Sequence, residues 1–255
     1  MNIDINGIKT SYICEGNGEA LLILPGWSAT SPTYNLLTKQ LSSKYTVYVL
    51  DLPGFGITPE PSEPWCVDDY ADFVSDFINT LGIKKLTIMG HSFGGRIIIK
   101  LLNRDNNFEV VKVGLVDAAG IKNQLSSEQS KRQAKYKKLK KIYSGSVMQK
   151  LFPGALEKFQ NKYGSKDYAA ASPIMKQCLV KAVNEDLTDL IPNIKNETVL
   201  IWGKNDTATP YSNAMAMNDM IKDSKLIGIE NAGHFPFIDQ PFEFRKAIEK
   251  HFINC

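Results

Sequence analysis

Leu86-Thr87-Ile88-Met89-Gly90-His91-Ser92-Phe93-Gly94-Gly95 is the stretch from which the rest of this 255-residue chain is best understood. An apolar β-type run ends at Met89, and Arg96-Ile97-Ile98-Ile99-Lys100-Leu101-Leu102 follows as a helical segment. The spacing predicts a strand, a sharp turn and a helix, with Gly90-x-Ser92-x-Gly94 at the turn. Such a turn forces the Ser into a strained backbone conformation, and a side chain at either flank would collide with the neighbouring strand or helix. The strain lifts the hydroxyl clear of the sheet edge, where a base approaches from one side and a carbonyl from the other.

Outward from this turn the chain alternates strands with helices. Residues 2 to 14 read as a hairpin about Asn6-Gly7. Ala20-Leu21-Leu22-Ile23-Leu24 is a continuous apolar run, as expected of a strand buried on both faces. Ser31-Pro32 is expected to open a helix through Leu36, Leu37 and Leu41, with Ser31 as its N-cap. Strands follow at 46–50, 113–117, 198–203 and 225–229, and helices at about 68–81, 211–221 and 241–252. This pattern implies an α/β fold, a doubly wound and mostly parallel sheet covered on both faces.

The rhythm lapses between residues 121 and 195. Residues 121 to 185 carry 14 Lys and Arg against 4 Asp and Glu, a net of +10, whereas the whole chain is only +3. So sharp a shift marks an inserted helical region. The expected organisation is a core of residues 1–120 and 196–255 with an inserted helical lid at 121–195.

Composition narrows the class further. At 43% hydrophobic residues the chain can bury the core of one large domain, and its overall balance names no nucleic-acid partner. Cys14, Cys66, Cys178 and Cys255 have no metal-type spacing, so free thiols, no metal and a cytoplasmic location are expected. The first residues lack the basic and apolar regions of a signal peptide, and no apolar run reaches the roughly 20 residues of a membrane span.

A Ser hydroxyl needs a general base, itself oriented by a carboxylate. The chain has three His. His91 lies inside the turn, which directs its side chain away, and reads as structural, and His251 lies on the terminal helix. His234, in Asn231-Ala232-Gly233-His234-Phe235-Pro236, follows the last strand, where loops at strand carboxyl ends form a ligand crevice. Two acids end neighbouring strands, Asp117 and Asp206. The order Ser…Asp…His, with the acid on the strand before the His loop, favours Asp206. Acyl transfer also needs donors aimed at the developing oxyanion, and the Phe93 amide and an amide after Leu24, that of Trp27, are the candidates.

Together these residues resemble the α/β-hydrolase fold family. The motifs are Pro25-Gly26-Trp27, Asp51-x-Pro53-Gly54-x-Gly56, Gly90-His91-Ser92-Phe93-Gly94-Gly95, Trp202-Gly203…Asp206…Pro210 and Gly233-His234. Pro25 stands where the family usually has His. The resemblance implies Ser92 as nucleophile, His234 as base, Asp206 as acid, and the Trp27 and Phe93 amides as oxyanion hole. It implies a cofactor-independent serine hydrolase acting on a small or medium carboxylic ester. Carbon–carbon, thioester and amide cleavage, acyl transfer and a low-turnover ligand-binding receptor are the alternatives on the same scaffold.

The inserted region carries weaker signals. Tyr136, Leu139, Ile142 and Tyr143 are expected to share one helix face, ringed by Lys131, Arg132, Lys135, Lys137, Lys138, Lys140 and Lys141. This reads as a lid helix with a solvated exterior, and the rival is contact with an anionic membrane surface. Phe152, Phe159, Tyr163, Tyr168, Met175 and Leu179 are candidates to line an apolar acyl pocket. Natural substrate, acyl chain length and oligomeric state leave no mark in the sequence.

Overall fold

The structure is a computed structural model that describes residues 1–122, 127–155 and 166–254. Its strands are β1 (Asn2–Ile5), β2 (Ile8–Glu15), β3 (Glu19–Leu24), β4 (Tyr45–Leu50), β5 (Lys85–His91), β6 (Glu109–Val116), β7 (Glu197–Gly203) and β8 (Ser224–Ile229). They form one sheet in the order β1-β2-β4-β3-β5-β6-β7-β8. β1 pairs β2, and β2 pairs β4, antiparallel; from β4 to β8 every pairing is parallel.

The central strand shows why the sheet is covered twice. Leu22 and Leu24 of β3 enter one core cluster with Phe77, Ile97 and Met217. Leu21 and Ile23 enter the other with Leu37, Phe244 and Phe252. Side chains alternate across a strand, so an unbroken apolar run needs an apolar layer on each face. Each such burial contributes about 1.5–3 kcal/mol, which fixes β3 at the centre rather than an edge.

Helix α1 (Asn35–Leu41) packs on one face, and α2 (Val67–Thr80) and α3 (Phe93–Leu102) on the other. The chain runs from β3 to β4 on one side and then to β5 on the other side of β3. The order therefore reverses between β3 and β5, which places the loops after these two strands at the crevice of a doubly wound sheet.

Two helix boundaries differ from the sequence reading. Residues Ser31–Tyr34 form a 3-10 turn with Thr30, which makes no side-chain capping bond, at the position before it, and the α-helix begins only at Asn35. Ser31 therefore lies inside the turn rather than at its cap, and its amide donates to Asp51 Oδ1 at 2.6 Å. That bond also gives Asp51 its role, pinning the segment after β3 to the end of β4. The last helix stops at Ile248 and widens into a π-type turn over Glu249–Ile253. There the Tyr45 hydroxyl and the Lys44 ammonium donate to the carbonyls of Phe252 and Ile253, which satisfies end groups a regular helix would leave open.

Between β6 and β7 the described residues form helices at Ser127–Tyr143, Ser146–Leu151, Lys166–Ala170 and Pro173–Asn184 and a 3-10 turn at Thr188–Asn193. Met175 and Leu179 are buried, Tyr136, Leu139, Tyr143 and Tyr168 half-buried. Ile142 and Phe152 are 51% and 57% exposed, so neither belongs to a buried lining. At 100° per residue Ile142 lies about 120° around the helix from Tyr136, off the shared face. Phe152 falls beyond the last turn of its short helix. Phe159 and Tyr163 lie outside the described residues. Cys14, Cys66 and Cys178 are unpaired thiols, and among the described residues no helix is long and apolar enough to cross a membrane.

Candidate active site

Ser92 joins β5 to α3 at φ +50° and ψ −108°, a region that costs a non-glycine residue of order 1–3 kcal/mol. The surroundings over-determine it. Its amide donates to the Val116 carbonyl at 3.0 Å, and its carbonyl accepts from the Gly95 and Ala119 amides at 3.0 and 2.9 Å. A Cβ on Gly90 would lie 2.6 Å from the Gly94 backbone carbon, and one on Gly94 would run into the Leu24 carbonyl of β3. Both glycines are required by close approach, as the turn motif implies.

His234 follows β8 and precedes the short helix Pro236–Asp239. Its Nε2 lies 2.8 Å from Ser92 Oγ, and its Nδ1 lies 2.8 Å from Asp206 Oδ2. A carboxylate only accepts, so the neutral ring carries its proton on Nδ1 and leaves Nε2 to accept from the Ser92 hydroxyl. Residues 92, 206 and 234, distant in sequence, thus form one hydrogen-bonded chain. Backbone pairing between the loops brings the last two together: Lys204 N–H donates to Ile229 O at 3.0 Å and Asn205 N–H to Ala232 O at 2.8 Å.

Asp206 is buried and multiply bonded. Oδ1 accepts from the Ala208 and Thr209 amides at 2.7 and 3.0 Å, and Oδ2 accepts from the Thr209 hydroxyl at 2.6 Å. Burial pushes its carboxyl upward, but the bonds from His234 and Thr209 outweigh burial and hold it down at about 2. The Trp202 indole N–H donates to the Thr209 carbonyl at 2.7 Å and anchors this turn to the core. Thr209 was not singled out by sequence, although Asp-x-x-Thr after a strand carries the side-chain-to-backbone turn pattern that signals it.

His91 is more closely tied to the site than its reading as a structural residue turned away suggests. Its ring centroid lies 4.9 Å from that of His234, and its Nε2 is 2.7 Å from the His234 carbonyl. Its Nδ1 is 3.1 Å from the Tyr34 hydroxyl, which accepts from the Gly26 amide at 2.9 Å. Burial, then the neighbouring His234, push the His91 imidazole down to about 3, so it stays neutral. Proton accounting fixes the directions: Nε2–H donates to His234 O, and Tyr34 O–H donates to Nδ1. The loop after β3 is thereby linked to the His234 loop. His251 sits half-buried in the terminal π-type turn, among Lys225, Lys250 and Glu197 rather than at the site.

Trp27 and Phe93 lie side by side, ring centroids 5.1 Å apart. A Cβ on the preceding Gly26 would come within 3.3 Å of the Ser92 Cβ, so the loop after β3 lies against the Ser92 turn. Phe93 is the first residue of α3, where helix amides have no intrahelical acceptor. Among the described residues the Trp27 amide has no backbone acceptor either.

Asp117, the second acid, directly follows β6 and is fully buried at φ +42°. It does not bond His234. Carboxyl oxygens of Asp117 and Asp206 and a ring nitrogen of His234 lie within 4.8 Å of one another, the one cluster of metal-ligand type among the described residues. Its Asp206 and His234 atoms are occupied by the hydrogen bonds above. A groove of about 910 Å³ between α1 and helix Pro241–Ile248, bordered by Leu36, Ile238 and Phe242, includes none of these residues.

Comparison with known proteins bears on the fold. The model of the alpha/beta hydrolase fold family matches residues 19–241. The chain belongs to the alpha/beta hydrolase fold family. It is 21% identical to a pimeloyl-[acyl-carrier protein] methyl ester esterase of Aeromonas hydrophila, over 94% of this chain and 97% of that one. It is 23% identical to a 2-hydroxy-6-oxo-2,4-heptadienoate hydrolase of Pseudomonas putida, over 95% and 92%. An esterase structure from Exiguobacterium antarcticum superposes with a TM-score of 0.77 at 23% identity, covering 98% and 97% of the two chains.

Proposed function

We propose that the protein is a serine hydrolase that cleaves a small or medium carboxylic ester through an acyl-enzyme on Ser92. The observation that carries this reading is the unbroken chain from Ser92 Oγ to His234 and on to Asp206, both links 2.8 Å. His234 Nε2 takes the Ser92 proton as Oγ attacks the carbonyl carbon, and returns it to the leaving alkoxide. A water then gives its proton to the same nitrogen and attacks the acyl-enzyme, and that nitrogen returns the proton to Ser92 Oγ as the acid leaves. Asp206 holds the Nδ1–H tautomer and stabilises the imidazolium formed in each half. The Trp27 and Phe93 amides receive the developing oxyanion.

Residues 121–195 serve in this reading as a lid over the Ser92 crevice, on a core of 1–120 and 196–255. Support comes from Met175, which packs onto Gly54, and from Arg96 of α3, which donates to the Glu185 carbonyl at 2.8 Å. The partner is a small acyl substrate in the cytoplasm, a location in keeping with the unpaired thiols.

Ser92→Ala is expected to lower turnover of short p-nitrophenyl esters by about 10⁴-fold with the fold retained. Full esterase activity in that variant would overturn the reading. Similarity to a 2-hydroxy-6-oxo-2,4-heptadienoate hydrolase over nearly the whole chain makes carbon–carbon hydrolysis the second reading. A panel of esters of increasing chain length, thioesters and a vinylogous diketone separates the two by kcat/KM.

A further inference from the structure

Asp117 is a buried carboxyl that the mechanism above leaves without a task. Its Oδ1 accepts from the Gly203 amide at 3.0 Å, and its backbone amide donates to the Ile201 carbonyl at 3.1 Å. Its Oδ2 is buried, and among the described residues no donor reaches it. A buried carboxylate oxygen without a donor is costly, and the acceptor-only Asp206 makes it worse, because two anions would then face each other out of water. A proton on Oδ2 resolves both problems, since a carboxylic acid donates where a carboxylate only accepts.

We infer that Asp117 is a positioning residue: as a neutral carboxylic acid it donates a hydrogen bond from Oδ2 to the Asp206 carboxylate, fixing the group that orients His234. The titratable groups that face it are Asp206 on the β7 loop, His234 on the β8 loop and Asp239 at the end of helix Pro236–Asp239. Burial, with Asp206 and Asp239 adding to it, pushes the Asp117 carboxyl up to about 9, in keeping with this geometry. The acid thus stays protonated while Asp206 beside it stays ionised. One carboxyl of the pair is a fixed donor and the other a fixed acceptor, the arrangement that environment imposes on neighbouring acids. Ionisation of Asp117 would delete the donor and place a second anion beside the imidazole.

Two variants test this. Asparagine offers the same atoms permanently, an oxygen for the Gly203 amide and an N–H for Asp206. Asp117→Asn is expected to hold kcat/KM within about threefold at neutral pH, while Asp117→Ala loses about tenfold or more. Wild-type activity is expected to decline above pH 9, and Asp117→Asn to lose that alkaline limb. Coincident alkaline limbs for wild type and Asp117→Asn would overturn the inference. The kinetic arm rests on the serine-hydrolase reading, so thermal melting supplies a readout that does not. Folding at neutral pH requires the wild type, but not Asp117→Asn, to take up a proton. The melting temperature of the Asn variant should therefore rise relative to wild type from about pH 5 to about pH 9. A gap that stays constant over this range overturns the inference even if Asp117→Ala fails to fold. Wild-type Ser92 left unmodified by a fluorophosphonate would instead sink the hydrolase reading and leave the melting comparison to decide on Asp117.

Discussion

His91 Nε2 donates to the backbone carbonyl of His234 at 2.7 Å, so one neutral imidazole holds in place the loop that carries the other. Through Tyr34 the same ring reaches the Gly26 amide. Tyr34→Phe would leave the Gly26 N–H and His91 Nδ1 buried and unpaired, each at a cost of about 1–3 kcal/mol. The expected result is a lower urea midpoint with an unchanged m-value, and a smaller effect on kcat than on stability. Unaltered stability would show that the relay carries little.

Asp206→Asn keeps the shape of the turn but removes the charge that selects the Nδ1–H tautomer. A loss of about 10³–10⁴-fold in kcat is expected, with KM little changed. Steady-state kinetics on a p-nitrophenyl ester checks the size, and a loss below tenfold would deny Asp206 its orienting role.

Asp206 also leaves a mark on stability at low pH. Burial opposes its ionisation, yet the bonds from His234 and Thr209 hold it at about 2, below its unfolded value near 4. A depressed carboxyl contributes stability that is present above the unfolded pKa and is lost as pH falls through the folded one. The gap between wild type and Asp206→Asn in thermal melting should be full above about pH 5 and close between about pH 4 and pH 2. A gap independent of pH would contradict the sign.

The turn itself is rigidly specified. Gly94→Ala drives a methyl into the Leu24 carbonyl, whereas Gly82→Ala, at φ +70° with nothing within 4 Å, meets only backbone strain. Gly82→Ala is expected to cost about 1–2 kcal/mol and remain active, and Gly94→Ala to fail to fold or to lose activity. Expression, circular dichroism and esterase assay separate the two, and an active, stable Gly94→Ala would refute the packing.

Much of this was legible in the sequence because it depends on local pattern. Gly90 and Gly94 announce the turn, the run Ala20–Leu24 announces a strand buried on both faces, and the loop position of His234 follows from strand order. What the sequence hid is proton direction and long-range contact. His91 reads as turned away because its neighbour Ser92 faces the crevice, and nothing local reveals that Tyr34 meets it 57 residues earlier. Asp117 and Asp206 both follow strands, and chain order favours Asp206 as the acid without revealing that the two carboxyls lie beside each other. Ser31 looks like a cap but falls inside a 3-10 turn, where its amide meets Asp51, 20 residues further on.

The proposed hydrolase activity depends on Ser92 being a nucleophile switched on by His234. Intact mass spectrometry after treatment with a fluorophosphonate measures that most directly. One adduct per chain, mapped to Ser92 and abolished in His234→Ala, is the expected outcome. An unmodified wild-type protein, or labelling of Ser92 that persists at full rate without His234, would contradict it.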